Sequence, residues 1–372
     1  MPRNTIHLVN IVPGDSLPIY RQIMSQIADA IAARCLRPGE KLTPYQEVAE
    51  LLVISPLAVR KAYEDLVLEG LCQYDGDDGY RVAAVSAEEQ RERSQRELLD
   101  SLLEKELSLQ ELKLARDIQC RLLPPGRVEG EGFLVAARNY PARFVAGDFY
   151  DVIRHADGSV GVVVADVAGK GIGPSLIMAS VKAMMPFIAA DRPVEETLIE
   201  LNRRLHTELA THPASRAPAY REFVALAYAR FDPRTGRARI ANAGLPDPYL
   251  LRPGADPVEI EVPWPRFPLG LRPSTDYQAL EVALEPGDRL LLYSDGIPEA
   301  RTWVNEPLGY EAVSTLLRTA HELAASRPAE DWLDMFLESV REATQRSKGQ
   351  EAVRREAAFD DDWTALMIES RP

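Results

Sequence analysis

Over the first 85 residues the apolar positions recur at helical spacing. Within PIYRQIMSQIADAIAARC (residues 18–35), Ile19, Ile23, Ile27 and Ile31 fall at every fourth position, which predicts one face of a helix. LRPGEKL interrupts that pattern. TPYQEVAELL and SPLAVRKAYEDLVLEG predict two more helices, each with a Ser or Thr followed by Pro where an N-cap and first turn belong. YDGDDGYRV closes the stretch with a hairpin signal.

Residues 87–122 contain neither Gly nor Pro and are rich in good helix formers, so they predict one long helix. Leu98, Leu102, Lys105, Leu109, Leu112 and Arg116 alternate at spacings of four and three, beside a second stripe of Leu103, Leu107, Leu114 and Ile118. That seam suits a dimeric coiled coil. The alternative is a helix packed on its own C-terminal domain, and the charged Lys105 and Arg116 are compatible with it. LLPPG ends the helix at Pro124 and Pro125. A rigid helix of this kind could carry a change of rotation or register between its two ends.

Beyond it, short apolar runs alternate with longer amphipathic ones. GVVVADVAG, EFVALAYARF, RARIANAG, DRLLLYSDG and DWTALMIES predict strands. PSLIMASVKAMMPFIAA, VEETLIELNRRLHTEL and AEDWLDMFLESVREATQR predict helices, and GYEAVSTLLRTA predicts another after a short connection. Met178, Met184 and Met185 are expected to fill the core.

A chain of 372 residues with 46% hydrophobic residues predicts two or three domains with sizeable cores. The net charge of −14 argues against nonspecific binding of nucleic acid or anionic membrane through the whole surface. Cys35, Cys72 and Cys120 form no paired motif and predict no disulfide framework. No N-terminal signal and no uninterrupted apolar stretch of membrane-spanning length is read, which predicts a cytoplasmic protein with no membrane partner.

Four aspartates change the picture: Asp148 in VAGDFYD, Asp166 in VVVADVAGKGIG, Asp295 in LLLYSDGIPEA and Asp361 in FDDDWTALMI. Three of them abut strand-like runs, so they can converge at one edge of a sheet. Oxygen-only ligands suit magnesium or manganese. The histidines, His7, His155, His206, His212 and His321, show no zinc spacing. Taken singly, Asp-Gly after a strand is a turn signal, which is how Asp157 and Asp232 are read.

The ordered set AGDFYD, ADVAGKG, EFVALAYARFD, ANAGLPDP, YSDGIPEA and DDWTALMI resembles the SpoIIE-type branch of the PPM metal-dependent serine/threonine protein phosphatases. The resemblance covers residues 130–372 and implies an α/β-layered domain, a β-sandwich flanked by helices. It implies two Mn2+ or Mg2+ ions held by Asp148, Asp166, the Val167 carbonyl, Asp295 and Asp361, with Asp166 bridging them. Water activated by the ions would hydrolyse phosphoserine or phosphothreonine without a covalent phosphoenzyme. Asp362 would orient the ligands from behind. Asp151 would orient metal-bound water or serve at a helix or strand end, and Lys170 or Arg143 would meet the substrate phosphate unless merely solvated. Leu245 stands where the branch often has His, and Ala168 where Ser is common, and no general acid is identified.

Residues 1–85 resemble a GntR-type winged helix-turn-helix domain through PIYRQI, LRPGEKL, VAELL and AVRKAYEDLVLEG, which would place Ser55, Arg60 and Lys61 on or near a DNA-recognition helix. Eight Lys and Arg against eleven Asp and Glu leave this unit at −3, and Asp75, Asp77 and Asp78 make its wing acidic. DNA affinity draws heavily on phosphate neutralisation, so a dimerising or partner-binding module is the alternative.

The expected organisation is therefore a winged helix-turn-helix (1–85), a linker helix able to dimerise (86–123) and a phosphatase domain (130–372). The expected activity is a serine/threonine phosphoprotein phosphatase in bacterial signalling, with a phosphorylated anti-sigma-factor antagonist as the implied partner. The alternatives are a DNA-binding transcription regulator whose phosphatase-like half senses rather than catalyses, and an interaction scaffold that keeps metal for stability.

Overall fold

The computed structural model describes residues 5–12, 17–76, 79–83, 87–142, 144–211, 222–302, 304–324, 326–345 and 361–372. Arg143, His212, Asp77 and Asp78 lie outside the described residues. The chain divides into two units, Met1–Glu106 and Leu107–Pro372.

The first unit contains α1 (Ile19–Ala32), α2 (Tyr45–Leu52), α3 (Pro56–Leu68) and an antiparallel ribbon of β1 (Cys72–Tyr74) and β2 (Tyr80–Val82). Ile23, Ile27, Val48, Val59, Tyr63 and Leu66 form its core. The four-residue isoleucine spacing advances by more than a full turn at each step, so the stripe winds around α1. Ile23 and Ile27 are buried, Ile31 is half-buried, and Ile19 is exposed. The expected side-chain caps do not form. Pro44 occupies the N-cap position of α2, and Ser55 caps α3 by position without a side-chain hydrogen bond.

Helix α4 (Ala87–Leu122) is continuous over 36 residues. Leu98, Leu102, Leu103, Leu107, Leu114 and Ile118 are exposed on it.

The second unit stacks two antiparallel sheets between two pairs of helices. Its strands are β3 (Arg127–Gly130), β4 (Phe133–Tyr140), β5 (Phe149–Arg154), β6 (Val160–Val167), β7 (Val224–Asp232), β8 (Arg237–Ala243), β9 (Tyr249–Leu251), β10 (Val258–Glu259), β11 (Leu280–Ala283), β12 (Arg289–Tyr293) and β13 (Trp363–Ser370). One sheet runs β10-β9-β12-β13-β4-β3 and the other β11-β8-β7-β6-β5. Helices α5 (Ile172–Ala189) and α6 (Val194–Thr211) pack on the five-stranded sheet, and α7 (Tyr310–Ala324) and α8 (Ala329–Gln345) belong to the layer on the six-stranded one.

Both faces of each sheet are therefore buried, which is why β6 reads as an unbroken apolar run. Side chains alternate between the faces. Val160, Val162 and Val164 enter the core between the sheets, whereas Val163, Ala165 and Val167 enter the core beneath the helices. Each fully buried valine contributes about 1.5–3 kcal/mol relative to an exposed one.

Helix α5 (Ile172–Ala189) is long and apolar enough to cross a membrane by length and composition, although Lys182 interrupts its apolar run. Here one face of it packs on the five-stranded sheet through Met178, Val181 and Met185. Lys182 in its middle is ion-paired with Asp151 at 2.6 Å.

Candidate metal centre

The alternation that builds the sandwich also aims its polar residues. Along β5, Tyr150 points between the sheets, and Asp148, two residues earlier, shares that parity. Asp166 continues the inward series of Val160, Val162 and Val164. On the facing sheet, Ser294 continues Leu290 and Leu292, and Thr364 and Asp362 continue Ile368 and Leu366. These inward polar residues close one end of the sandwich.

Two glycines allow the close approach. A Cβ on Gly147 would lie 2.7 Å from the Val167 carbonyl oxygen and 3.5 Å from Asp166 Oδ1. A Cβ on Gly296 would collide with the Asp362 carbonyl oxygen and meet Asp361 Cβ at 3.4 Å. The loop before Asp148 thus lies against Asp166 and the Val167 carbonyl, and the turn after Asp295 lies against Asp361.

Asp362 accepts hydrogen bonds from the backbone N–H groups of Ala142 at 2.7 Å and Gly147 at 2.9 Å. Asn139 donates to Thr364 Oγ1 at 2.7 Å, and the Thr364 N–H donates to Ser294 Oγ at 3.0 Å. These bonds hold the aspartate-bearing loops to strands far away in sequence.

The electrostatics record the crowding of acids. Burial raises the Asp148 carboxyl well above the usual carboxylate range, and the charges of Asp166 and Asp362 add to that. A side-chain hydrogen bond joins Asp148 to Asp166, raising the first carboxyl and lowering the second. Asp166 is pushed up to about 6 by burial, with the hydrogen bond from Asp148 opposing and the charges of Asp361, Asp362 and Glu299 reinforcing. Asp295 is pushed up to about 7 by burial and then by Asp166, Glu299 and Asp361. Lys170 Nζ lies 2.9 Å from Asp361 Oδ2.

All four predicted aspartates thus lie in one electrostatic neighbourhood, linked through Asp166. Among the described residues, no group of three His, Cys, Asp or Glu side chains is arranged to hold a metal ion as it stands. Asp361 is instead paired with Lys170. Like-charged acids this close cannot all ionise unless a cation compensates them. The donor set nevertheless suits a hard divalent ion: carboxylates, a backbone carbonyl beside them, and a buried Asp148 Oδ2 without a hydrogen-bond partner among the described residues.

Asp151 departs from the cluster. Its parity on β5 is opposite to that of Asp148, so it faces α5 and pairs with Lys182.

Two participants were missed in the sequence. Glu299 adds charge to Asp166 and Asp295, and its position in the YSDGIPEA motif, four residues after Asp295, could have drawn attention to it. Gln119 on α4 bonds both backbone polar groups of Ala146, and no local pattern marks it.

Of the three residues predicted on the recognition helix, Ser55 stands at its start. Arg60 pairs with Glu64 at 3.1 Å, and Lys61 Nζ lies 4.8 Å from the Tyr20 ring centre.

The family model described as Stage II sporulation protein E (SpoIIE) matches residues 156–371, more than half of the chain. The phosphoserine phosphatase RsbU of Bacillus subtilis is 28% identical over 193 residues, which are 52% of this chain and 54% of that protein. The HTH-type transcriptional repressor YtrA, also of Bacillus subtilis, is 35% identical over 66 residues, 18% of this chain and 51% of that one. The chain therefore spans about half the length of these two curated relatives. The solved SiaA-PP2C domain of Pseudomonas aeruginosa superposes with a TM-score of 0.56 at 22% identity, covering 72% of this chain and 98% of that domain. That likeness gives the fold, an α/β phosphatase fold with helices flanking the sheets. On the strength of the family match across its second unit, the chain belongs to the SpoIIE family.

Proposed function

We propose that this chain is a metal-dependent serine/threonine phosphoprotein phosphatase. The observation that carries the reading is the end of the sandwich where Asp148, Asp166, Asp295 and Asp361 share one field, with a buried Asp148 Oδ2 that has no hydrogen-bond partner among the described residues. Asp148, Asp166, Asp295, Asp361 and the Val167 carbonyl would hold two Mn2+ or Mg2+ ions. Bound there, the ions would lower the pKa of water and offset charge on the phosphoryl oxygens.

The chain's own residues do the positioning. Asp362 fixes the loop that presents Asp148, and Ser294 donates a hydrogen bond to Asp148. Lys170, which pairs with Asp361 at 2.9 Å, would meet the substrate phosphate beside the cluster. Arg143, the other candidate for that contact, lies outside the described residues.

The substrate class is a phosphoserine or phosphothreonine protein. Phosphoserine phosphatase in the name of RsbU supports that class, and a phosphorylated anti-sigma-factor antagonist is the proposed partner. The exposed leucines of α4 support a homodimer through that helix. The test is release of phosphate from phosphoserine proteins by the full chain with Mn2+, Mg2+ or chelator.

The YtrA match and the three helices with their ribbon favour a second property, DNA binding by a winged helix-turn-helix in the first unit. Selection of duplexes from a random pool by the full chain tests it. Arg60→Ala and Lys61→Ala should weaken any selected complex, and an empty selection removes the property.

A further inference from the structure

Gln119 is buried on a helix whose next-door residues, Ile118 and Cys120, are exposed. Its Nε2 donates to the Ala146 carbonyl at 2.7 Å, and its Oε1 accepts from the Ala146 N–H at 2.9 Å. One side chain thus satisfies both backbone polar groups of a residue 27 positions away and two before Asp148. Asp362 accepts the next N–H, that of Gly147. Ala146 and Gly147 are therefore each held by a residue distant in sequence, one on α4 and one preceding β13.

The surroundings make the Gln119 contact hard to replace. Both Gln119 bonds are buried, and Ala115, Leu122, Val145 and Met178 line the groove beside them. Hydrogen bonds in such surroundings are strengthened, and leaving their partners unmade is costly.

We propose that Gln119 is a positioning residue for Asp148. It touches neither substrate nor metal. It fixes the Ala146 backbone and so the direction from which the Asp148 carboxylate enters the cluster, making the last turns of α4 part of the metal site. The inference rests on the metal-phosphatase reading above.

The test is Mn2+ binding to metal-stripped full-length protein by titration calorimetry, well below the melting temperature of each variant. Gln119→Met keeps the length and removes both bonds, whereas Gln119→Glu keeps an acceptor for the Ala146 N–H and removes the donor. Cys120→Ser is the exposed control. Gln119→Met should weaken Mn2+ binding about tenfold, equivalent to about 1.4 kcal/mol. Gln119→Glu should fall between, and Cys120→Ser should match the parent. Parent-like affinity in Gln119→Met overturns the inference, even if its melting temperature has dropped. If that variant does not fold, parent-like affinity in Gln119→Glu overturns it instead. A parent that binds no Mn2+, and so cannot be told from Asp166→Asn, overturns the phosphatase reading and this inference with it. That failure shows in the parent, and failure of the Gln119 role shows only in the variants.

Discussion

Asp362 accepts the Gly147 N–H at 2.9 Å across 215 positions of sequence, tying the residue before β13 to the loop before β5. Its carboxylate also takes the Ala142 N–H, so it acts as a clamp on the loop that delivers Asp148. Asp362→Ala should lower stability by roughly 2–4 kcal/mol, since hydrogen bonds to charged groups contribute about 1.5–3 kcal/mol each and part of this is recovered by water. Chemical denaturation measures that loss, and a loss under 0.5 kcal/mol, the range of ordinary surface substitutions, would remove the clamp.

The acidic cluster sets a pH dependence for the metal-free protein. Asp166 and Asp295 are pushed up to about 6 and about 7, against about 3.9 for an unfolded aspartate. The folded state then holds protons that the unfolded state has released. The stability these groups contribute is complete below about pH 4 and is lost as pH rises through about 6 to 7. Asp157 and Glu200, both lowered to about 2 by hydrogen bonds, act only at lower pH and leave this window alone. In chelator, the melting temperature should fall between about pH 4.5 and pH 7.5, and Asp166→Asn should flatten the fall. A melting temperature that rises over this window contradicts the account of the cluster.

Asp151 and Lys182 form a nearly buried pair away from the cluster. Lys182→Met should destabilise by about 3–5 kcal/mol because it strands a carboxylate. Adding Asp151→Leu should restore most of that loss. If Asp151 served the metal centre instead, the double variant would fold and lack metal-dependent turnover, which sedimentation and a phosphate assay would reveal together.

The leucines of α4 predict the oligomeric state. Leu98 and Leu107 are each 61% exposed, and a lone helix gains little by displaying them. Light scattering should find a dimer, and Leu102→Glu with Leu107→Glu should leave monomers. A parent that is monomeric at micromolar concentration would rule out the α4 dimer.

Much of this architecture was legible because its signals are local. The β6 run, the YSDG and DD motifs and the Pro-Pro stop after α4 each announce an element within ten residues. The aspartates could be gathered because three of the four abut such an element and all four fall in one ordered set of motifs. What escaped depends on distance or on phase. Gln119 meets Ala146, and Asp362 meets Gly147, only after strands and helices have been placed. Asp151 looks equivalent to Asp148 in VAGDFYD, yet an odd offset on a strand sends it to the opposite face. Ile19 looks core-facing by its spacing and is carried to the surface by the winding of the helix.

The most direct measurement is phosphate release from a phosphoserine protein by the full chain with Mn2+, with Mg2+ and with chelator, beside Asp166→Asn. The account predicts turnover that requires the metal and drops at least a hundredfold in the variant. Turnover that survives chelation, or that Asp166→Asn retains, would contradict it.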